Sequence, residues 1–447
     1  MKKWKKRIGY GVGDLGCNLV FGTMASYLMF FYTDVFGITA AAAGTMMFAT
    51  KIIDAFADTG MGLLVDRTHT RWGQGRPYFL IGAIPFTVFT IITFIVPDGG
   101  TTEKLIWAYV TFTLLNIAYT VVNIPLNTIV PRLTSDVHER NWLVTTRMIC
   151  ALLGTALVMS ITTPLVHVFG QGNTQKGFLI TMTLYAILAF FLFLFTFKNT
   201  EEIVPPAVKP EKSSFLLDLK GLTGQSIIFF ILNFLYFALF VIRNTTVIYY
   251  FTYNLDRTNW LTFVGLFGIL SGLPMLLVLP WLQKKISKRS CLLLSVCIYI
   301  IGDLAMYFGS TSSILLIAGL ALTGLGMYGI FGTTFAIQPD VIDYSEYKKK
   351  RSISGMIAAF QGFCVKTSMG LASALIGVIL KMGGYVPNGT QTGTALKYIE
   401  ITFIWIPLLI CLLIGVTTWF YKLDFKRAEM SIELEHRRHT FQSAETL

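Results

Sequence analysis

A chain of 447 residues with 54% hydrophobic and only 13% charged residues departs far from soluble proteins, where about a quarter of residues are charged. Its formal net charge of +12 would suggest nucleic acid in a soluble chain. Here the basic residues fall in short loops between apolar runs, where they report orientation, so the partner is a lipid bilayer and not nucleic acid.

The start, Met1 to Arg7, has the charge of a signal-peptide n-region. The apolar run behind it is long, carries Asp14 and lacks a small-residue cleavage site, so a retained first helix is expected. Apolar segments of spanning length fall near 11–33, 40–65, 77–97, 104–130, 142–167, 177–197, 223–252, 259–282, 291–309, 312–338, 355–380 and 398–421, which predicts about twelve transmembrane helices. In the first, Gly11-Val-Gly13-Asp-Leu-Gly16 spells a dinucleotide fingerprint without the strand that motif needs. It serves only to place Asp14 and Asn18 on one helix face.

The second segment carries the strongest signal. Lys51, Asp54 and Asp58 lie three and four residues apart and share one stripe of a helix. Each charge costs roughly 2.5–3.5 kcal/mol at mid-membrane on insertion scales, so the stripe must face partners, a bound cation or water. An internal Lys–Asp pair accounts for one carboxylate, and a cation or proton site is expected to account for both. The following loop, Gly62-x-x-x-Asp66-Arg67 with Arg71 and Gly73, matches the loop signature of facilitator carriers, with glycine for close helix approach and Asp–Arg as a breakable latch. In the fourth segment Thr120, Asn123 and Asn127 fall on one face beside Pro125, suited to ligand hydroxyls. Arg147 in the fifth and Lys366 in the eleventh are single intramembrane cations. Arg147 suits a sugar hydroxyl or carboxylate, and Lys366 suits the helix-2 acids across a cavity. Arg243 and Asp303 are candidates to pair with each other.

The polar connector 199–225 divides the chain into halves of six helices, 1–198 and 226–421, with a polar tail at 422–447. Basic residues before the first helix, in the loops after the second, fourth, eighth and tenth, in the connector and in the tail place both termini in the cytoplasm of a multi-pass cell-membrane protein. The fourth helix runs into Pro131-Arg-Leu-Thr-Ser-Asp136 and the tenth into Pro339-Asp-Val-Ile-Asp343, so the halves echo one another. A two-fold repeat of six helices is the architecture of the all-α major facilitator fold. The six cysteines include no Cys-x-x-Cys, the histidines are scattered, and no hydrolase elbow, Walker loop or catalytic dyad occurs. A cofactor, a structural metal and an enzymatic activity are therefore not expected.

Tyr10-Gly-Val-Gly, Tyr32-Thr-Asp-Val-Phe-Gly37, Asp54-Ala-x-x-Asp58, Arg71-Trp-Gly, Arg76-Pro77, Asn123-Ile-Pro125, Asp340-x-x-Asp-Tyr-x-Glu346 and Gly384-Tyr-Val-Pro-Asn388 occur in order. Together they resemble the glycoside–pentoside–hexuronide:cation symporters, to which the melibiose carrier belongs, over almost the whole chain. The resemblance implies a facilitator fold and uptake of a sugar or glycoside with H⁺, Na⁺ or Li⁺. It makes Asp54, Asp58 and Thr120 the cation site, Lys366 the lysine that communicates with it, and Arg147 the sugar-side arginine. Ala57 stands where the melibiose carrier has a cation-binding asparagine. One oxygen is lost from a shell that sodium needs and a proton does not, so proton coupling is expected over sodium. Asn18 and Asn123 replace two aspartates and Asn127 a tryptophan, which argues against galactosides and leaves a uronide or a neutral pentoside open.

The expected function is therefore cation-coupled sugar symport by alternating access, in a monomer, with Asn18, Asn123, Asn127 and Arg147 on the sugar. The alternatives are a facilitator-fold carrier of another solute such as a lysophospholipid, which requires an apolar lateral cleft, and a non-transporting sugar sensor, which would normally carry an appended signalling domain.

Overall fold

In the computed structural model, residues 3–134, 136–203, 222–309, 312–349 and 354–425 are described. Most of the connector and tail expected from sequence lie outside them. Twelve main helical segments order the described chain: α1 Lys3–Ser26, α2 Ala40–Arg67, α3 Arg76–Thr93, α4 Thr101–Thr128, α5 Val137–Gly170, α6 Thr174–Asn199, α7 Gly224–Tyr249, α8 Leu261–Lys285, α9 Lys288–Phe308, α10 Ser313–Lys349, α11 Ser354–Met382 and α12 Gly393–Trp419. Among the described residues 10 helices are long and apolar enough to cross a membrane. An eleventh span is α1 joined to Leu28–Val35 across a 54° bend, and α8, of 25 residues, is the remaining segment. Helices dominate because lipid offers no hydrogen bonds, so each backbone N–H and C=O must be satisfied within its own segment.

The helix starts follow local chemistry. Side chains of Thr39, Asn173, Ser287 and Thr392 each accept a backbone N–H from the first turn of α2, α6, α9 and α12. Prolines inside α4 (Pro125), α5 (Pro164) and α10 (Pro339) each remove one internal hydrogen bond. The far ends of α1 and α7 wind into π turns, Phe31–Val35 and Tyr250–Asn254.

The chain groups into two compact units. The first comprises Met1–Val208, Val241–Leu266 and Gly370–Phe403. In it α1 packs tightly on α5: a Cβ on Gly11 would press on Thr146 and Cys150, and one on Gly154 would press on Asn18 and Leu15. Small residues allow such backbone approach, which drives helix association in lipid. A cluster of Phe31, Phe94 and Phe178 rings, with centroids 4.7 to 6.4 Å apart, fills the far end of this unit. At the near end Arg7 makes a two-pronged bond to Glu139, at 2.6 and 3.0 Å, and holds that carboxyl below the usual glutamate range. Arg243 also belongs here; it donates to the Phe403 carbonyl at 2.9 Å and lies 3.8 Å from that ring centroid.

The second unit comprises Lys209–Phe240, Phe267–Met369 and Ile404–Leu447. Its α9 and α10 pack closely, with Lys288 bonded to Asp340 at 2.5 Å and to the Ala336 carbonyl at 2.7 Å. Tyr421 donates to the same Asp340 carboxylate at 3.2 Å. Asp303 lies fully buried on α9.

Candidate functional site

The charged stripe of α2 meets α4. Thr120 Oγ1 lies 2.9 Å from Asp54 Oδ1 and 2.9 Å from Asp58 Oδ1, so one hydroxyl bridges both acids. Lys51 Nζ lies 3.4 Å from Asp54 Oδ2 and 2.9 Å from Asn116 Oδ1. Asp54 is buried at 3% exposure, while Asp58 and Lys51 are half-buried. Asn116 was not anticipated, although it stands four residues before Thr120 and therefore on its face. Its amide donates to the Phe112 carbonyl, which turns its oxygen toward Lys51. Lys366 lies half-buried on α11, in the part of that helix that belongs to the second unit.

A second group forms around α1, α4 and α5. Arg147 Nε lies 3.2 Å from Asp14 Oδ2, its Nη2 donates to Asp14 Oδ1 at 3.4 Å and its Nη1 to the Tyr10 hydroxyl at 3.4 Å. The reading of Arg147 as a single intramembrane cation is corrected: Asp14, 133 residues earlier, neutralises it. On α4 the three residues expected on one face divide between two stripes. Thr120 turns to the acids, whereas Asn123 donates to the Tyr119 hydroxyl at 3.1 Å and Asn127 donates to Asn123 Oδ1 at 2.8 Å. Residues 116 and 120 form one row and 119, 123 and 127 the other, each at a spacing of four. Asn18 donates to the Asp14 carbonyl at 2.8 Å on its own helix. The ring of Tyr119 stacks on Phe21 with centroids 5.8 Å apart, adding a flat apolar surface beside these amides. Among the described residues no group of three or more His, Cys, Asp or Glu side chains is arranged to hold a metal ion.

The sequence matches the family described as MFS/sugar transport protein over residues 9–425. It is 36% identical to the isoprimeverose transporter of Lactiplantibacillus pentosus, covering 98% of this chain and 92% of that one. It is 32% identical to the putative glycoside/cation symporter YagG of Escherichia coli, covering 95% and 93%. The chain belongs to the MFS/sugar transport protein family. The fold agrees: the structure of nucleoside transporter NupG superposes with a TM-score of 0.63 over 94% of this chain and 100% of that one, at 15% identity. The protein is thus a multi-pass membrane transporter of the facilitator superfamily, and not an enzyme.

In the loop between α2 and α3 of this transporter the described contacts centre on Glu202. The Glu202 carboxylate, just beyond α6, accepts backbone N–H groups from Gln74 at 3.0 Å, Gly75 at 2.8 Å and Arg76 at 3.0 Å. Gly73 has φ +105°, and a Cβ there would collide with that carboxylate, so glycine is required twice over. Gly62 has open space where a Cβ would go, so close packing does not explain it. Arg67 and Arg71 are exposed, with Arg71 over the Trp72 ring, and the side chain of Asp66 lies outside the described residues. Arg76 instead donates to the Phe197 carbonyl at 2.9 Å. A carboxylate holding three N–H groups at a helix start is a strong anchor, each bond to a charged group contributing about 1.5–3 kcal/mol. Glu202→Ala is expected to destabilise the transporter by at least about 2 kcal/mol, read as a lower unfolding midpoint in detergent, and Glu202→Gln to recover part of the loss. An unchanged midpoint for Glu202→Ala would remove the anchor from the account.

Proposed function

We propose that this transporter carries a sugar or glycoside into the cell together with one proton, by alternating access, with Asp54, Asp58 and Thr120 as the coupling site. The observation that carries the reading is the bridging hydroxyl of Thr120. A hydroxyl has one proton to donate. Placed 2.9 Å from two carboxyl oxygens, it donates to one and must accept from the other, so the geometry suits a pair in which one acid is protonated. Asp54, buried and beside the Lys51 ammonium, is suited to stay ionised, and half-buried Asp58 to take up and release the proton. Sodium or lithium would require further oxygens. Ala57 supplies no side-chain oxygen, and the Asn116 oxygen already accepts from Lys51.

The sugar part of the reading rests on family membership and on a polar group of Arg147, Asn18, Asn123 and Asn127 beside an aromatic face. Basic residues in alternate loops support a cell-membrane protein with both termini cytoplasmic. A monomer is the working oligomeric state.

Purified protein in vesicles loaded with a pH-sensitive dye tests the proposal. Adding glycosides, pentosides or hexuronides without sodium is expected to acidify the interior for at least one sugar class. Uptake of labelled sugar that requires sodium and moves no protons would overturn the coupling ion. Absence of transport for every sugar, with and without sodium, would overturn the substrate class.

A further inference from the structure

We infer that the pairing of Asp14 with Arg147 makes this transporter selective for neutral sugars and glycosides over hexuronides, an inference that rests on the sugar-transport reading above. A lone arginine beside a sugar cavity favours an anionic ligand, because guanidinium and carboxylate match in charge and in fork geometry. Here the fork is already engaged. Nε and one N–H of Nη2 face Asp14, and one N–H of Nη1 faces the Tyr10 hydroxyl. Three of the five N–H donors are thus directed at protein, which leaves two for a ligand.

A uronide carboxylate on those two donors would share the guanidinium with a second, buried carboxylate, since the Asp14 side chain is only 8% exposed. Like charges that close, away from water, oppose each other strongly. A neutral hydroxyl meets no such conflict. It accepts from Arg147 through its oxygen and donates through its hydrogen to a lone pair of Asp14 or of the Tyr10 hydroxyl. The adjoining groups are also uncharged: Asn123 bonded to Tyr119, Asn127 bonded to Asn123, and the Tyr119–Phe21 ring pair suited to the apolar face of a pyranose. Asp14 is held for this role by its surroundings. Gly11 and Gly154 bring α1 and α5 close enough for the pair to form, and Asn18 ties off the Asp14 carbonyl.

Asp14 is therefore a specificity-determining residue that acts through the charge of Arg147. The test compares uptake of a neutral pentoside or glycoside panel with a hexuronide panel in proteoliposomes, for the wild type, Asp14→Asn and Arg147→Gln. The wild type is expected to prefer the neutral panel. Asp14→Asn, which keeps the side-chain shape and uncovers the guanidinium, is expected to shift the hexuronide-to-neutral ratio upward by at least about tenfold. Arg147→Gln leaves Asp14 negative and is expected to shift that ratio downward and to raise uptake of amino sugars. Opposite shifts in the two variants cannot arise from a common loss of folding. Wild-type preference for hexuronides, or a ratio unmoved by both substitutions while sugar is still transported, would overturn the inference and leave the sugar reading intact. No transport of any sugar by the wild type would overturn both.

Discussion

Asp58→Asn is expected to exchange sugar across the membrane without accumulating it. Asparagine imitates the protonated acid in shape and charge, so the sugar-loaded carrier still forms and still reorients. It has no proton to release, and downhill proton flow is no longer tied to sugar movement. A driving force of about 100 mV is worth roughly 2.3 kcal/mol per charge, which sustains a concentration ratio of about fifty. The variant is expected to fall to a ratio near one while counterflow of labelled sugar persists. Asp54→Asn is expected to be the harsher change. It strips the half-buried ammonium of Lys51 of the buried carboxylate 3.4 Å away and leaves Thr120 between two groups that hold no fixed charge. Removing one partner of a buried pair typically costs about 3–5 kcal/mol, so loss of counterflow and of thermal stability should accompany loss of accumulation. Accumulation ratios well above one in both variants would show that neither acid couples transport. The two readouts together separate a coupling defect from a folding defect.

The acids at this site were legible because membranes make polarity conspicuous: a carboxylate inside an apolar run is costly, and helical spacing shows which face it shares. The twelve helical segments were legible for the same reason. What the chain order concealed was the partner of each charge. Asp14 and Arg147 are separated by 133 residues and meet only because glycines let α1 and α5 touch, so Arg147 reads from sequence as an isolated cation. Thr120, Asn123 and Asn127 do satisfy helical spacing within a tolerance of one residue, but Asn116 and Tyr119 decide to which of two stripes each belongs. Glu202 looks like part of a polar connector, and its bonds are to backbone N–H groups, which leave no residue-type signature at the other end.

A further buried acid, Asp34, leads to the other large expected effect. Two segments that supported the family resemblance without an assigned role, Tyr32 to Gly37 and Gly384 to Asn388, converge on the carboxylate of Asp34. The Tyr385 hydroxyl lies 2.6 and 2.7 Å from its two oxygens, Thr33 donates at 2.6 Å, the Asn388 backbone N–H reaches it at 3.3 Å, and Tyr253 from the α7 π turn donates as well. The Asn388 amide also bonds the Asp34 carbonyl. Positive φ at Gly37, Gly384 and Asn388 shapes both segments for the meeting, and asparagine tolerates that conformation better than most residues. Burial pushes the Tyr385 hydroxyl well above the usual tyrosine range, so it stays a donor at any physiological pH. The far ends of α1, α7 and the segment after α11 are thus tied through one carboxylate, and under the alternating access proposed above that tie has to break and reform. Bonds to a charged acceptor contribute about 1.5–3 kcal/mol each, so loss of one is expected to change the closed-to-open ratio by a factor of about ten or more. Tyr385→Phe removes one donor and leaves the others in place. It is expected to raise amide hydrogen exchange at residues 250–254 and 385–389 by that factor, and Asp34→Asn to raise it further. Exchange that stays at the wild-type rate in both variants would mean the cluster is static packing and that the far side opens elsewhere.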